Sequence, residues 1–174
     1  MPRGIPHKVG VTLNLGVVQV RGDWEPNHAE RAAAWEVYVE LVTRVATVPL
    51  DQEEGLLREA LNSLYSVFES TRDVLRRHGP DLAEPKPDGQ VNFAFLAVTI
   101  LSRGIRPLLT RWHPELADWE ARRPADVTAV AHERSWDRAP ELRAELEVAR
   151  KALTLYAAAL AAACGVPNLL EGGS

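Results

Sequence analysis

An arginine and a histidine stand near each other at the end of a long helical pattern, in the run Arg72-Asp73-Val74-Leu75-Arg76-Arg77-His78. An arginine can stabilise the charge of a phosphate, and a histidine can transfer a proton. The spacing, however, puts Arg72 and His78 about 240° apart on an ideal helix. Cations at a helix C-terminus are also favoured by the helix dipole, so a purely structural role is the alternative.

This run resembles the signature of HEPN ribonucleases, in which an arginine and a polar residue are followed, after a short spacer, by a histidine. Members of that family are all-helical. Their arginine and histidine act on the 2′-hydroxyl and the scissile phosphate of RNA, usually across a dimer interface. The resemblance covers seven residues and implies a metal-independent ribonuclease with Arg72 and His78 as catalytic residues. Because such short motifs are permissive, the structural alternative is retained beside it.

A second cluster alternates arginines with tryptophans. Its members are Arg103, Arg106, Arg111, Trp112, His113 and Trp119. Arginine and tryptophan together can hold a phosphate or stack on a base, and they are the residues most often found at protein-binding hot spots. Glu115, Asp118 and Glu120 lie among them and oppose the binding of a polyanion. The alternative is a kinked helix whose tryptophans close the core and whose arginines pair with these carboxylates.

The motifs of the common enzyme classes are missing from the sequence. It contains neither a Walker A loop nor a Gly-x-Ser-x-Gly elbow, and the five histidines are scattered without metal-ligand spacing. The single cysteine, Cys164, falls at the end of a helical pattern, where the dipole disfavours a thiolate. The sequence therefore predicts no metal site and no cofactor and favours a non-catalytic protein over an enzyme, with Arg72 and His78 as the catalytic candidates.

The composition is that of one soluble globular domain. The chain has 174 residues, with 46% hydrophobic and 25% charged residues and a net charge of -4, which makes a nucleic-acid partner unlikely. One cysteine excludes an intrachain disulfide. The apolar stretches Phe93–Leu101 and Leu153–Cys164 are shorter than the roughly 20 residues of a membrane span. We expect a cytoplasmic protein with no membrane partner and no cleaved signal peptide.

The hydropathy pattern predicts an all-α fold of four to six helices with a short N-terminal β-hairpin packed on it. Alternation with period two indicates strands over 9–21, with a change of phase after Gly16 that fits two strands or one bulged strand. The helical bundle covers 27–165 and a tail covers 166–174, all within a single domain, 1–174. An isolated hairpin is marginal in water, so it must lie on the helices or pair with another chain.

Capping and breaking residues predict where the helices begin and end. The pairs Asn27 with Glu30 and Asp51 with Glu54 are capping boxes for the first two helices. The second helix stops at Gly79, and a proline-rich exposed loop follows over 79–90. The core stripe predicted for this helix consists of Leu57, Leu61, Leu64, Phe68, Thr71, Leu75 and His78.

The third helix, over 91–102, is apolar nearly all round and is therefore expected in the middle of the bundle. Gly104 and Pro107 are expected to kink or break it, and Pro114 to interrupt the next helix. After a short helix over 127–136, the last one runs from Pro140 to Gly165 with unbroken four-three spacing of apolar residues.

Several segments resemble a family of small, mostly actinobacterial proteins. They read LNLG over 13–16, GDWEP over 22–26, ELVTRV over 40–45, RP over 106–107 and WHPEL over 112–116. The similarity extends over nearly the whole chain. No reaction, cofactor or catalytic residue is assigned to that family. The resemblance therefore implies one domain and a bacterial cytosolic protein, and it transfers no site.

These observations favour a non-catalytic interaction protein, either a homo-oligomer or an accessory subunit of a bacterial multi-component regulatory or defence system. Val37, Val39 and Leu41 lie outside the main apolar stripe of the first helix and are expected to face a partner. That stripe consists of Trp35, Tyr38, Val42 and Val45. Two alternatives remain open. One is the ribonuclease described above, and the other is a sensor that binds an anion or nucleotide near Arg103, Arg106 and His113.

Overall fold

The computed structural model describes residues 8–44, 47–49 and 55–170. It is mostly helical, with a two-stranded antiparallel hairpin at its N-terminal end packed on the helices. The fold class predicted from the hydropathy pattern is therefore confirmed. The predicted cap at Asp51 and Glu54 and the end of the tail, 171–174, lie outside the described residues.

The hairpin consists of β1, Val9–Asn14, and β2, Gln19–Trp24. Val9 lies opposite Trp24, and Asn14 lies opposite Gln19. Gly16 adopts a φ of 84° in the turn, a conformation that glycine reaches without strain. Alternate residues of β1 are buried, and β1 contacts the last helix of the chain. The change of phase after Gly16 therefore reflects two strands and not one bulged strand. Strand β2 extends three residues beyond the predicted boundary at Arg21.

The first two long helices begin at different kinds of cap. Helix α1, His28–Val42, starts at the predicted capping box of Asn27 and Glu30. Helix α2, Leu57–His78, ends at Gly79 as predicted, but its N-terminus has no side-chain cap of its own. The Glu133 carboxylate accepts a hydrogen bond from the Leu57 backbone N–H at 2.9 Å instead. A distant carboxylate therefore serves as the N-terminal cap of α2.

The apolar surface predicted for a partner on α1 is mostly internal. Val37 is 1% exposed and Leu41 is fully buried, whereas Val39 is 38% exposed. Trp35, which the sequence placed in the core stripe, is 46% exposed. The predicted partner surface was wrong because α1 packs against both α2 and the last helix, so that two sides of α1 are covered.

A short 3-10 turn, Gly79–Ala83, follows α2 and buries Leu82 completely, so this part of the predicted loop packs on the core. The chain then forms one continuous helical segment: α3, Phe93–Thr99, a π-helical turn, Ile100–Ile105, and α4, Arg106–Glu120. The sequence predicts a kink or a break at Gly104 and Pro107; the helix does not break there, and a π-helical turn lies at that place instead.

The prolines and Gly104 are accommodated without a break. Pro107 follows directly after the π-helical turn, so the N–H that it lacks falls where the regular α-helical hydrogen bonding is already interrupted. Gly104 lies in the π-helical turn, where a Cβ would meet the Leu15 side chain at 3.3 Å. Pro114 lies within α4 on an exposed face, where water can satisfy the carbonyl that loses its partner.

The segment Phe93–Glu120 differs in two respects from the sequence prediction. Phe95 and Val98 are each 50% exposed, so α3 is not surrounded by other helices. Among the described residues, this segment of 28 residues is the one helix long and apolar enough to cross a membrane by length and composition. A core helix of a soluble protein meets the same criterion, so this finding supports a membrane span only weakly.

Two further helices complete the fold: α5, Ala129–Arg134, and α6, Ala139–Cys164, which ends at Gly165 in the left-handed conformation. Every residue of the predicted stripe on α6 is buried, namely Leu142, Leu146, Ala149, Leu153, Tyr156, Leu160 and Ala163. Helix α6 packs against α1, α2 and β1. The prediction for the last helix is confirmed, and this helix is the centre around which the other elements are arranged.

Candidate functional site

The arginine and histidine of the ribonuclease-like run contact different neighbours. His78 Nε2 lies 2.7 Å from Glu36 Oε1, and Arg77 pairs with the same carboxylate. The Arg72 guanidinium lies 6.0 Å from the centre of the Phe68 ring. The structure therefore does not bring Arg72 and His78 to a common point, and the ribonuclease hypothesis stays a prediction.

The second cluster is divided among three faces of α4. Arg111 forms ion pairs with Glu141 and Glu145 of α6. Trp112 is fully buried, and its indole N–H donates to Glu145 at 2.7 Å. His113 instead faces α2, where its Nδ1 lies 2.7 Å from Arg58 Nη1. Consecutive residues of a helix point about 100° apart, which explains why neighbours in the sequence separate in space.

Trp119 and the carboxylates near it have structural partners. The Trp119 ring stacks on His132 at 4.5 Å between ring centres, and its N–H donates to the His132 carbonyl at 3.0 Å. Glu115 pairs with Arg138, and Glu120 with Arg58. The expected pairing between arginines and carboxylates occurs, but for these two carboxylates the arginines come from other elements.

Arg72, Arg103 and Arg106 form no ion pair with any described residue, whereas Arg111 of the same cluster pairs with two carboxylates. All three are exposed. Arg106 lies 5.5 Å from the centre of the Phe68 ring, which Arg72 also contacts. Two guanidinium groups from α2 and α4 thus meet at one aromatic ring, a cation–π arrangement that leaves their N–H donors available.

Arg72, Arg106 and the Phe68 ring belong to a groove between α2 and α4. We call it the aromatic–arginine groove and define it by Tyr65, Phe68, Arg72, Arg106 and His113. Its concave part has a volume of about 270 Å³. Tyr65 is 48% exposed and Phe68 is half-buried. The groove therefore presents apolar ring surface between cationic groups.

The histidine of the groove is held as a neutral donor. A guanidinium only donates hydrogen bonds, so His113 Nδ1 accepts from Arg58 and its proton lies on Nε2. Burial, together with the charge of Arg58, lowers the pKa of His113. Its ring meets the Tyr65 ring edge-on at 6.4 Å. His113 is therefore uncharged at neutral pH and supports the position of Tyr65.

The tyrosine presents its ring rather than a reactive oxygen. The Tyr65 hydroxyl donates to Glu69 at 3.0 Å, and this hydrogen bond raises the pKa of Tyr65. The charge of Arg72 acts weakly in the opposite direction. Tyr65 is thus a protonated, fixed side chain that is suited to contact and not to nucleophilic chemistry.

The thiol and the metal-ligating side chains of the described residues are weaker candidates for a functional site than this groove. Burial raises the pKa of the Cys164 thiol, which donates to the Arg31 carbonyl oxygen at 3.5 Å. Over the parts of the chain that the structure describes, no three histidine, cysteine or carboxylate side chains are placed to hold a metal ion.

Sequence reasoning found Arg72, Arg106 and His113 but missed Tyr65 and Phe68. Phe68 was assigned to the core stripe of α2, and Tyr65 was assigned no role. A signal was present, because Tyr65, Phe68 and Arg72 follow three-four spacing and share one edge of the helix. What the sequence could not show is that Arg106, from a helix far along the chain, lies opposite that edge.

Comparison with known proteins adds no relative. No protein-family model, no curated protein and no solved structure matches this chain significantly.

Proposed function

We propose that this chain is a non-catalytic interaction protein and that its aromatic–arginine groove binds an acidic segment of a partner protein. The observation that supports this most directly is the meeting of Arg72 and Arg106 at the Phe68 ring without a carboxylate partner among the described residues. Eight other arginines among the described residues pair with carboxylates: Arg44, Arg58, Arg76, Arg77, Arg111, Arg138, Arg143 and Arg150. Because Arg72 and Arg106 have no such partner and lie beside exposed aromatic surface, the groove can accept carboxylates from outside.

The composition of the groove fits a protein partner. Tyrosine and arginine are enriched among the residues that contribute most to binding between proteins. The exposed half of Tyr65 and the Phe68 ring provide apolar contact, and Leu109 closes the floor at 8% exposure. Guanidinium groups on either side can each bind a carboxylate in bidentate fashion. A segment with an apolar residue between two acidic residues matches this arrangement.

The charge of the whole chain narrows the class of partner. With a net charge of -4, the protein does not attract a long polyanion from a distance, whereas a short acidic segment is bound locally. By its resemblance to a family of small bacterial proteins, the chain fits the role of an accessory subunit in a multi-component system. The experiment below distinguishes an acidic partner protein from a second copy of this chain as the occupant of the groove.

Site-specific photo-cross-linking in cells of the source organism tests this proposal. Benzoylphenylalanine placed at Tyr65 should cross-link a partner through a peptide that contains Asp or Glu, as mapped by mass spectrometry. The same probe at Val130, which is 43% exposed on α5, serves as a control and should not cross-link that peptide.

Charge variants then identify the guanidinium contribution. Arg72→Gln with Arg106→Gln should reduce the Tyr65 cross-link about tenfold or more, since a charge-assisted hydrogen bond contributes about 1.5–3 kcal/mol. Arg21→Gln with Arg122→Gln makes the same change in net charge at two exposed arginines and should leave it unchanged. Absence of any Tyr65 cross-link, or one that both double variants retain, contradicts the proposal. A cross-link to a second copy of this chain contradicts the acidic partner and indicates self-association instead.

A further inference from the structure

A separate cavity lies away from the aromatic–arginine groove, between α2, α6 and the segments 48–49 and 134–137. We propose that this cavity binds a small apolar molecule that carries one carboxylate, such as a medium-chain fatty acid. The proposal is independent of the protein-binding function, because the two sites share no residue.

The size and the floor of the cavity suit an apolar ligand. Its volume is about 810 Å³, within the ordinary range for small-molecule sites. Leu64, Trp136 and Leu146 form an apolar floor, with 2%, 6% and 6% exposure. Ala60 and Ala144 also line it, and these short side chains leave space that larger ones would fill. The part of the ligand that lies on this floor must therefore be apolar.

Arg150 provides a fixed cationic group at this cavity. Its Nε and Nη2 donate to the two carboxylate oxygens of Glu147, each at 2.7 Å. This two-point contact fixes the plane of the guanidinium, while Nη1 makes no hydrogen bond to a described residue. Lys151 Nζ also lies 3.8 Å from Glu147, so two cations share that one carboxylate. Nη1 of Arg150 is therefore positioned to donate to an incoming anion.

Two other guanidinium groups, those of Arg134 and Arg143, also line the cavity, and Arg143 contacts Glu133 at 3.5 Å. The carboxylates of the lining are Asp137 and Glu147, and Arg150 already holds Glu147. The Nη1 donor of Arg150 therefore favours one negative charge on the ligand, and the extent of apolar surface excludes a highly charged ligand.

Isothermal titration calorimetry with decanoate, kept below its micelle concentration, tests the proposal on the full chain. We expect saturable binding with one site, and binding of 1-decanol at least about tenfold weaker because it lacks the charge that Arg150 pairs with. Arg150→Gln should weaken decanoate about tenfold and leave decanol unchanged. Arg21→Gln is the matched control, since it removes the same charge from an exposed arginine of β2 that does not line the cavity.

A second variant tests the cavity itself. Ala144 lines it and is exposed, so Ala144→Trp fills the space without disturbing the core. This variant should abolish binding of both probes while its circular dichroism spectrum and melting temperature stay those of the wild type. The proposal is overturned if decanoate does not bind, if Arg150→Gln binds like the wild type, or if folded Ala144→Trp still binds. Arg72→Gln with Arg106→Gln should bind decanoate normally, which separates this test from that of the proposed function.

Discussion

Replacing Glu30 should destabilise this fold more than the loss of any surface ion pair. The side chain is fully buried, and its two oxygens accept four hydrogen bonds. Trp24 Nε1 and the Phe93 N–H donate to Oε1 at 3.1 and 2.8 Å. The Asn27 N–H and Lys86 Nζ donate to Oε2 at 2.7 and 2.8 Å. One carboxylate thus connects the end of the hairpin, the starts of α1 and α3, and the loop between α2 and α3.

The size of the effect follows from what the substitution leaves behind. Glu30→Ala removes the acceptor of three buried N–H groups and the counter-charge of Lys86, whose side chain is 10% exposed. Breaking a buried ion pair on one side typically costs about 3–5 kcal/mol. Whole-domain stabilities are about 5–15 kcal/mol, so the variant should lose a large part of its free energy of unfolding. Lys86→Met in the Glu30→Gln background should restore about 1–2 kcal/mol by removing the unpaired charge.

Urea denaturation followed by circular dichroism measures these differences. Glu40→Gln is the matched control on the same helix, because Glu40 pairs with Arg44 at partly exposed positions and should contribute less than about 1 kcal/mol. A loss below about 1 kcal/mol for Glu30→Ala, or an equal loss for Glu30→Gln and Glu40→Gln, would refute the reasoning.

Two further predictions concern stability. Gly22→Ala should lower the free energy of unfolding by about 1–3 kcal/mol, because the new Cβ would lie 3.0 Å from Val91 Cγ1 and 3.2 Å from the Gly89 carbonyl oxygen. The control in the same urea assay is Gly10→Ala, whose new Cβ would have no neighbour within 4 Å. Burial raises the pKa of Glu133 in the folded state, so its stabilising contribution is present below the unfolded pKa and is lost as pH rises through the folded one. The stability of the wild type relative to Glu133→Gln should therefore fall as the pH rises above the ordinary glutamate pKa of 4.5, and a constant or rising difference contradicts this assignment.

The sequence was informative where regular spacing or local hydrogen bonds decide the structure. The α6 stripe was readable because each apolar residue follows the previous one by three or four positions. The capping box of Asn27 and Glu30 was readable because both partners lie within one turn. The contacts of Glu30 with Lys86 and Phe93 could not be predicted, since these two residues approach Glu30 only after the chain has folded back.

The candidate site was harder to predict because it depends on rotation about helix axes. Arg111, Trp112 and His113 look like one cluster in the sequence, but they point to α6, the core and α2 in turn. Conversely, Phe68 and Arg106 are distant in the sequence and adjacent in space. Only the packing of α2 on α4 determines that pairing.

The π-helical turn at Ile100–Ile105 acts as a phase correction between two halves of one helix. In an uninterrupted α-helix, the side chains of Phe93 and Leu116 would point about 140° apart. A π turn takes up about one extra residue and reduces this difference to about 40°. Both residues are fully buried, so each half presents its own apolar stripe to the same interior. The wide turn lets a single long helix serve one core along its whole length.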